Sequence, residues 1–258
     1  MSLQNYIVDI IDNGIEGEGI AKIDNFTIFI PNAIKGEKVK ALIVKVLSSH
    51  AFGKILEILE PSKERVEPDC TTYKRCGGCS LRHVKYKETL KMKQNAVKSL
   101  VDKTLKNPVN VLEPIGMEKP FYYRNKAQFP LGLDKENMPQ LGVYANRTHE
   151  IVPIEKCLIQ NEEAQKVAKT VLNFIKKNNL TIYNEKTGKG LFRHIVIKVG
   201  VKTNEIMCVL VLNGKKINLG SIVKLKKQHP CGAPSHSHRC SCEWSGRSPK
   251  RSSRNGPK

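Results

Sequence analysis

The chain has 258 residues and a mass of 29.0 kDa, which is enough for one large or two ordinary domains. Its 44 Lys and Arg against 24 Asp and Glu give a formal net charge of +20, which favours a polyanionic partner such as nucleic acid. No run approaches the roughly 20 apolar residues that cross a bilayer, and the N-terminus lacks the pattern of a signal peptide. We therefore expect a cytoplasmic protein with no membrane partner.

Residues 1–60 contain short apolar alternations separated by turn residues, as in a small all-β domain. Strands are predicted over 6–11, 26–30, 37–46 and 52–59, with a glycine-bearing stretch after the first. Short strands at a spacing of about ten residues, with almost no helical period, predict a closed or nearly closed barrel. Such barrels commonly bind oligonucleotides, although they serve other roles as well.

The next segment, 61–83, is loop-like and rich in Cys, Pro and charge. From 84 to about 105, apolar residues recur mostly at three- and four-residue steps, which predicts an amphipathic helix. The chain then alternates between strand and helix patterns, and Asn161 is a plausible N-cap. This alternation predicts an α+β domain with strands over 121–131, 140–145, 150–153, 191–200 and 205–211, and a helix from Asn161 through Lys177.

The cysteines are concentrated in one segment and joined by a distant fourth. Cys70, Cys76 and Cys79 form a C-x5-C-x2-C group, and Cys157 lies far downstream. Four thiolates around one point suit either a 4Fe-4S cluster or a structural zinc ion. The intervening Gly77-Gly78 pair gives the backbone freedom for a sharp turn.

Two alternatives to an all-cysteine metal site follow from the same residues. His83 could replace Cys157 in a Cys3His zinc site, since imidazole and thiolate both bind zinc. The cysteines could also be unrelated buried side chains, because free cysteine is among the most buried residue types. The spacing alone leaves iron–sulfur and zinc open.

Several motifs together resemble one family, the S-adenosylmethionine-dependent RNA (uracil-5-)-methyltransferases with an N-terminal TRAM domain, of the 23S ribosomal RNA type. Their order and spacing match over about residues 1–225. The matching stretches are 17–22 (GEGIAK), 29–33 (FIPNA), 70–79 with its three cysteines, 123–127 (YRNKA), 141–144 (LGVY), 151–157 (IVPIEKC) and 193–198 (RHIVIK).

The resemblance implies an OB-like TRAM barrel at 1–60 that holds RNA, a cluster-binding loop at 61–83 and a central α+β RNA-binding domain at 84–228. It also implies that the predicted metal site holds a 4Fe-4S cluster rather than zinc. The four ligands are then Cys70, Cys76, Cys79 and Cys157.

Arg124 and Lys126 are the implied RNA contacts, because guanidinium and ammonium groups neutralise phosphates. Their alternative role is a solvated strand face. Arg193 and Lys198 are interpreted as scaffold.

The sequence also departs from the family pattern in its C-terminal part. We find no glycine-rich methyl-donor site, and Cys208 lies within a predicted strand, so no catalytic residue is assigned. Residues 231–258 contain no Leu, Ile, Val, Met, Phe or Tyr and cannot form a core. We therefore expect the C-terminal Rossmann-like domain to be absent and the basic tail at 229–258 to be disordered and to result from a frameshift.

The predicted function is the RNA-binding and cluster-binding portion of an RNA (uracil-5-)-methyltransferase that acts on ribosomal RNA. Alone, this monomeric chain is expected to be inactive, although the family uses S-adenosylmethionine as its methyl donor. The alternative is a stand-alone RNA-binding module with a structural iron–sulfur or zinc site.

Overall fold

The structure is a computed structural model that describes residues 4–107, 109–146 and 148–214. The predicted tail at 229–258, and with it the frameshift interpretation, lies outside the described residues. So does the end of the predicted domain 84–228.

The chain divides by its internal contacts into two compact units. The first comprises Met1–Phe121 and Val143–Ile159, and the second comprises Tyr122–Gly142 and Gln160–Lys258. The domain boundaries drawn from the sequence, at 60, 83 and 228, stay predictions.

A six-stranded sheet fills the N-terminal part of the first unit. Its order is β1-β5-β6-β4-β3-β2, and the pairing is antiparallel except between β4 and β6. The strands are β1 (Asn5–Asp9), β2 (Asp12–Asn13), β3 (Gly19–Ile23), β4 (Phe26–Ile30), β5 (Lys38–Val46) and β6 (His50–Glu60).

The two edge strands of this sheet, β1 and β2, are consecutive in the chain. Between them, the Ile10 amide donates to Glu37 O at 2.8 Å and the Ile11 amide donates to Ile20 O at 2.9 Å. One continuous segment therefore pairs with both sides of the sheet and closes it. This confirms the β-barrel that the short alternating strands predicted.

The barrel core consists of small and β-branched side chains that alternate with outward-facing residues. Strand β3 was not predicted, because it follows the glycine-bearing stretch. Gly17 has a φ of +91°, and a Cβ on Gly19 would lie 2.6 Å from Ala33 Cβ, so both glycines are needed there. The core residues are Val8, Ile10, Ala21, Ile28, Ile30, Ala33, Val39, Ala41, Ile43 and Ala51.

Helix α1 (Tyr86–Thr104) confirms the predicted helix. Several of its apolar side chains are exposed to solvent. Val97, Leu100 and Leu105 are 50%, 48% and 50% exposed, and Thr89 is the residue of α1 that is buried. Among the helices of the described chain, none is long and apolar enough to span a membrane.

The second sheet has five strands in the order β11-β10-β7-β8-β9. Strand β10 pairs antiparallel with both β7 and β11. The pairing with β11 joins consecutive strands, whereas the pairing with β7 joins strands that are distant in the chain. The strands are β7 (Lys126–Leu133), β8 (Pro139–Tyr144), β9 (Ile151–Pro153), β10 (Phe192–Val199) and β11 (Ile206–Leu212).

Helix α2 (Glu162–Lys177) begins at the predicted cap. The Asn161 side chain accepts hydrogen bonds from the amides of Glu163 and Ala164, at 2.9 and 3.2 Å. The predicted strand over 121–131 was wrong at its start: β7 begins only at Lys126, because Tyr122 has a φ of 54°, which interrupts an extended backbone.

Candidate functional site

The cysteine segment, residues 61–83, lies between β6 and α1 and consists mainly of turns. The Tyr73 amide donates to Cys70 O at 3.1 Å, and the Cys76 amide donates to Thr72 O at 2.9 Å. These successive turns keep the three nearby cysteines on one compact stretch of backbone.

Residues 143–159, which we call the strap, carry Cys157 and belong to the same unit as the cysteine segment. Cys76 forms an antiparallel bridge with the strap, and the Gly77 amide donates to Tyr144 O at 3.2 Å. The main chain near Cys76 thus pairs with a segment that is about seventy residues away in sequence.

The four cysteines share one neighbourhood in the first unit. All four are half-buried, and none forms a disulfide. Burial raises the pKa of the Cys79 thiol; charge on Cys157, Cys76 and Cys70 raises it further, while Arg82 lowers it. Because such effects fall off within several ångströms, the three other thiols lie near Cys79.

The sulfur atoms are nevertheless not placed as ligands of one ion. Within residues 4–107, 109–146 and 148–214, no group of three or more His, Cys, Asp or Glu side chains is arranged to hold a metal ion. The donor set suits a 4Fe-4S cluster, whose ligands are thiolates. Binding would require the thiol side chains to turn toward a common centre.

The double glycine has a different role from the one that the sequence suggested. Neither Gly77 nor Gly78 has a positive φ, so neither supplies a left-handed turn. A Cβ on Gly77 would lie 3.1 Å from Asn146 Cα in the strap. The Gly78 amide donates to Cys76 Sγ at 3.3 Å. Gly77 therefore permits close approach of two backbones, and Gly78 provides a donor to a thiol.

His83, the alternative ligand for zinc, is only 2% exposed and is paired elsewhere. Its Nδ1 lies 2.6 Å from Tyr73 Oη. Burial, with the positive charge of Arg65 as a second cause, lowers the pKa of His83 to about 4, so the ring is neutral at pH 7. In the described part of the chain, no cysteine sulfur is a hydrogen-bond partner of His83. These contacts favour a packing role.

The start of the cysteine segment is anchored to the barrel by a buried carboxylate. The Glu37 side chain accepts hydrogen bonds from the amides of Ile34 and Ser62, at 2.9 and 3.2 Å. Arg65 donates to the same carboxylate from Nε at 2.5 Å and Nη2 at 2.8 Å, and to Asn32 O at 2.7 Å. This network was not predicted, because a single Glu and a single Arg carry no sequence pattern.

The two predicted RNA contacts lie at the start of the second unit, and both are exposed. The Arg124 carbonyl accepts from the Asn161 amide at 3.1 Å, which fixes the backbone next to β7. Lys126, the first residue of β7, is directly opposite Lys198 on β10. Among the described residues, none of these three side chains forms an ion pair.

Arg193 and Lys198, both interpreted as scaffold, have different environments. The Arg193 guanidinium lies 4.4 Å from the centroid of the Tyr183 ring, a cation–π contact within the second unit. Lys198 is exposed beside Lys126. Only the strand register could have shown this, because the two lysines are distant in sequence.

The comparisons with known proteins match the barrel to one domain family and most of the chain to proteins named as RNA methyltransferases. The family model described as "TRAM domain" matches residues 4–56. An uncharacterized RNA methyltransferase of Clostridium acetobutylicum is 45% identical over 216 residues, which are 83% of this chain and 47% of that protein. One from Staphylococcus epidermidis is 40% identical over 225 residues, 86% of this chain and 49% of that protein. The chain spans about half the length of the curated relatives it matches.

A solved structure supports the fold. The tRNA (uracil-54, C5)-methyltransferase of Pyrococcus abyssi, in complex with S-adenosyl-L-homocysteine, matches with a TM-score of 0.64 at 20% identity. The match covers 85% of this chain and 48% of the other. The chain therefore contains a TRAM domain and is homologous to proteins named as RNA methyltransferases.

Proposed function

We propose that the chain is the RNA-binding and cluster-binding portion of an S-adenosylmethionine-dependent RNA (uracil-5-)-methyltransferase. Its TRAM domain and its relatives support a role in RNA modification. The solved neighbour, which acts on a uracil of tRNA and was solved with S-adenosyl-L-homocysteine, supports the reaction class and the methyl donor. We propose ribosomal RNA as the substrate, with tRNA as the competitor in any test.

The observation that carries RNA binding is the cross-strand pair of Lys126 and Lys198. Like charges directly opposite one another on a sheet are destabilising. Both lysines are exposed, and neither forms an ion pair in the part of the chain that the structure describes. A phosphate between them would relieve the repulsion and release counterions. Arg124, two residues before Lys126, is also exposed.

The same proposal includes a 4Fe-4S cluster held by Cys70, Cys76, Cys79 and Cys157. Support comes from the meeting of two distant segments around four half-buried thiols and from the amide hydrogen bond to Cys76 Sγ. Hydrogen bonds to the sulfurs are among the features that tune such clusters. When bound, the cluster would crosslink the cysteine segment to the strap, with no need for a redox step.

Methyl transfer by this chain alone is not part of the proposal. Addition to the uracil ring requires an accessible thiolate near a base that removes a proton. Cys208 lies inside β11, opposite Ile197 on β10, and not at a strand end. The runner-up is a stand-alone RNA-binding module, which the exposed lysine pair would serve equally well.

Binding and methyl transfer can be measured on the same RNAs. Fluorescence anisotropy with unmodified ribosomal RNA fragments and with tRNA should show tighter binding of ribosomal RNA and a strong salt dependence. The salt slope, which is the slope of log affinity against log salt concentration, should fall in magnitude by about one in Lys126→Gln. It should be unchanged in Lys169→Gln, on the exposed side of α2. Equal effects of both variants would contradict the proposed contact.

A methyl-transfer assay with labelled S-adenosylmethionine separates the two candidate functions. The leading proposal expects no turnover by the chain alone, and transfer to ribosomal RNA by a full-length relative that contains the same surface. Turnover by this chain would contradict its proposed inactivity. A full-length relative that binds RNA but methylates neither RNA class would favour the RNA-binding module.

Anaerobic purification tests the cluster. The wild-type protein and Cys208→Ser should contain about four iron and four sulfide per chain and show broad visible absorbance. Cys79→Ser should lose both. A colourless wild-type protein with one zinc ion would contradict the cluster and favour a structural zinc site.

A further inference from the structure

Three aromatic rings cluster on the outer side of the barrel. Phe29 lies on β4, and His50 and Phe52 lie on β6, where these two strands run parallel. The ring centroids are 5.4 Å apart for Phe29 and His50, 5.2 Å for His50 and Phe52, and 6.0 Å for the two phenylalanines. All three residues are half-buried, whereas Ile28 and Ala51 between them are fully buried. We call these rings the aromatic face.

The barrel core is filled without the aromatic face. The inward positions of β6 are the small residues Ala51 and Gly53, and a Cβ on Gly53 would lie 3.2 Å from Ile30 Cγ1. The rings therefore lie on the opposite side of the sheet from the core. His50 meets both phenylalanine rings at nearly right angles, 80° and 79°, and so supports them from the side.

Lysines surround the aromatic face. Lys45 on β5 is directly opposite Phe52, and Lys54 lies two residues after Phe52 on the same side of β6. Lys22 on β3, opposite Thr27, flanks β4 from the other side. All three lysines are exposed, and within the residues that the structure describes none forms an ion pair with a carboxylate.

We propose that the aromatic face is a stacking site for unpaired bases of single-stranded RNA, with Lys22, Lys45 and Lys54 next to the phosphates. This inference rests on the proposed function and assigns the RNA-binding surface of the barrel. Every base has a π-face, so stacking on aromatic rings tolerates sequence, while the charges follow the backbone. Bases in a duplex are already stacked on one another, so loops and single strands are the class that this face selects.

Charge favours RNA over an apolar protein segment as the occupant. An apolar peptide on Phe29 and Phe52 would leave the three ammonium groups without a counter-charge in the complex. RNA satisfies both features at once, since its bases cover the rings and its phosphates neutralise the lysines. The net charge of +20 on the whole chain points to the same kind of partner.

The test compares two substitutions that remove a ring from the same barrel. Phe52→Leu removes a ring from the aromatic face, and Phe29→Leu is the second variant if the first unfolds. Phe26→Leu is the matched control, because Phe26 is also half-buried but packs against the core. Melting curves followed by circular dichroism establish that each variant is folded before binding is measured.

The probe is a fluorescent single-stranded RNA of about ten nucleotides, alongside the same oligonucleotide with abasic positions and a duplex of equal length. Phe52→Leu should weaken binding of the intact single strand on the order of tenfold. The control should change it less than twofold. Binding of the abasic strand and the duplex should be nearly the same for wild type and Phe52→Leu.

Salt dependence separates stacking from charge. Phe52→Leu should keep the wild-type salt slope, whereas Lys45→Gln should lower the slope by about one. Equal affinities of wild type, Phe52→Leu and Phe29→Leu for the intact strand would overturn the stacking site while leaving RNA binding elsewhere in place. A wild-type chain that binds neither single strand nor duplex would overturn the proposed function itself.

Discussion

Among the ion pairs of the cysteine segment, the one to the barrel and the one to the strap differ strongly in burial. At the barrel, the side chains of Arg65 and Glu37 are 21% and 0% exposed. The Glu37 carboxylate also accepts hydrogen bonds from the Ile34 and Ser62 amides. At the strap, Arg75 pairs with Glu150, and these side chains are 61% and 63% exposed. The first attachment is thus a shielded network and the second a solvated surface contact.

This difference indicates which of the two attachments of the cysteine segment is the less stable. A buried pair that loses one partner costs several kcal/mol, whereas an exposed pair contributes at most about 1 kcal/mol. The attachment to the barrel is stabilised by the Glu37–Arg65 network and does not involve the cysteines. The strap is joined to the cysteine segment by the weak pair, the Cys76–Ala145 bridge and the Gly77 hydrogen bond, so a cluster that includes Cys157 would stabilise the weaker attachment.

Glu37→Gln should have the largest effect on stability. The substitution keeps the size of the side chain but leaves Arg65 mostly buried without its counter-charge. We expect a loss of about 3 kcal/mol in the free energy of unfolding, the lower end for breaking a buried pair, because Arg65 retains some exposure. Urea denaturation measures it, and a loss no greater than that of Glu150→Gln would remove the contrast between the two attachments.

The same pair should make stability depend on pH. Burial alone would raise the pKa of Glu37, but hydrogen bonds from Arg65 and from the Ile34 and Ser62 amides hold it below its ordinary value of 4.5. A carboxylate with a lowered pKa contributes stability above its unfolded pKa and loses it as the pH falls through the folded pKa.

The difference in unfolding free energy between wild type and Glu37→Gln should therefore be constant from pH 7 to about 5.5. The difference should narrow below pH 4.5, because Glu37 then takes up a proton in the unfolded wild-type chain while it stays charged in the folded protein. Denaturation curves across this range measure the difference, with Glu150→Gln as the reference. A difference that stays the same down to pH 3 would contradict a charged Glu37 in the folded protein.

Removal of the proposed cluster should affect the strap more than the barrel. In Cys157→Ser, or after iron is chelated from the wild type, amides of the strap should exchange hydrogen about tenfold faster, equivalent to about 1.4 kcal/mol. Barrel amides such as that of Ile28 should be unchanged, because the core does not involve the cysteines. Faster exchange throughout the barrel would show that the cluster stabilises the whole unit.

Local patterns made much of the fold predictable. The alternation at 26–30 and 37–46 and the Asn161 cap all led to the observed elements, because strand period and capping act over a few residues. Strand β3 was missed because its glycines look like a loop. The positive φ of Tyr122 was also missed, because an aromatic residue gives no local signal for that conformation.

The candidate sites depend on pairing between distant residues, which the sequence shows only in part. The cysteine spacing predicted a site that Cys70, Cys76 and Cys79 share with Cys157, and that ligand set stays a prediction. The pairing of Lys126 with Lys198, and of Phe29 with Phe52, follows from strand register. Register is set by the whole sheet, so neither pair could be identified from composition or spacing.

Glu150→Gln should have the smallest effect of the three substitutions. Both side chains of the Arg75–Glu150 pair are mostly exposed, and the pair is screened by salt, so we expect a loss of at most about 1 kcal/mol, smaller still at 1 M salt. Urea denaturation at low and high salt measures it. The effect should be larger in Cys157→Ser than in wild type, because the proposed cluster then no longer joins the strap to the cysteine segment and the pair carries more of that attachment. Identical losses in the two backgrounds would mean that the cluster and the ion pair do not act on the same attachment.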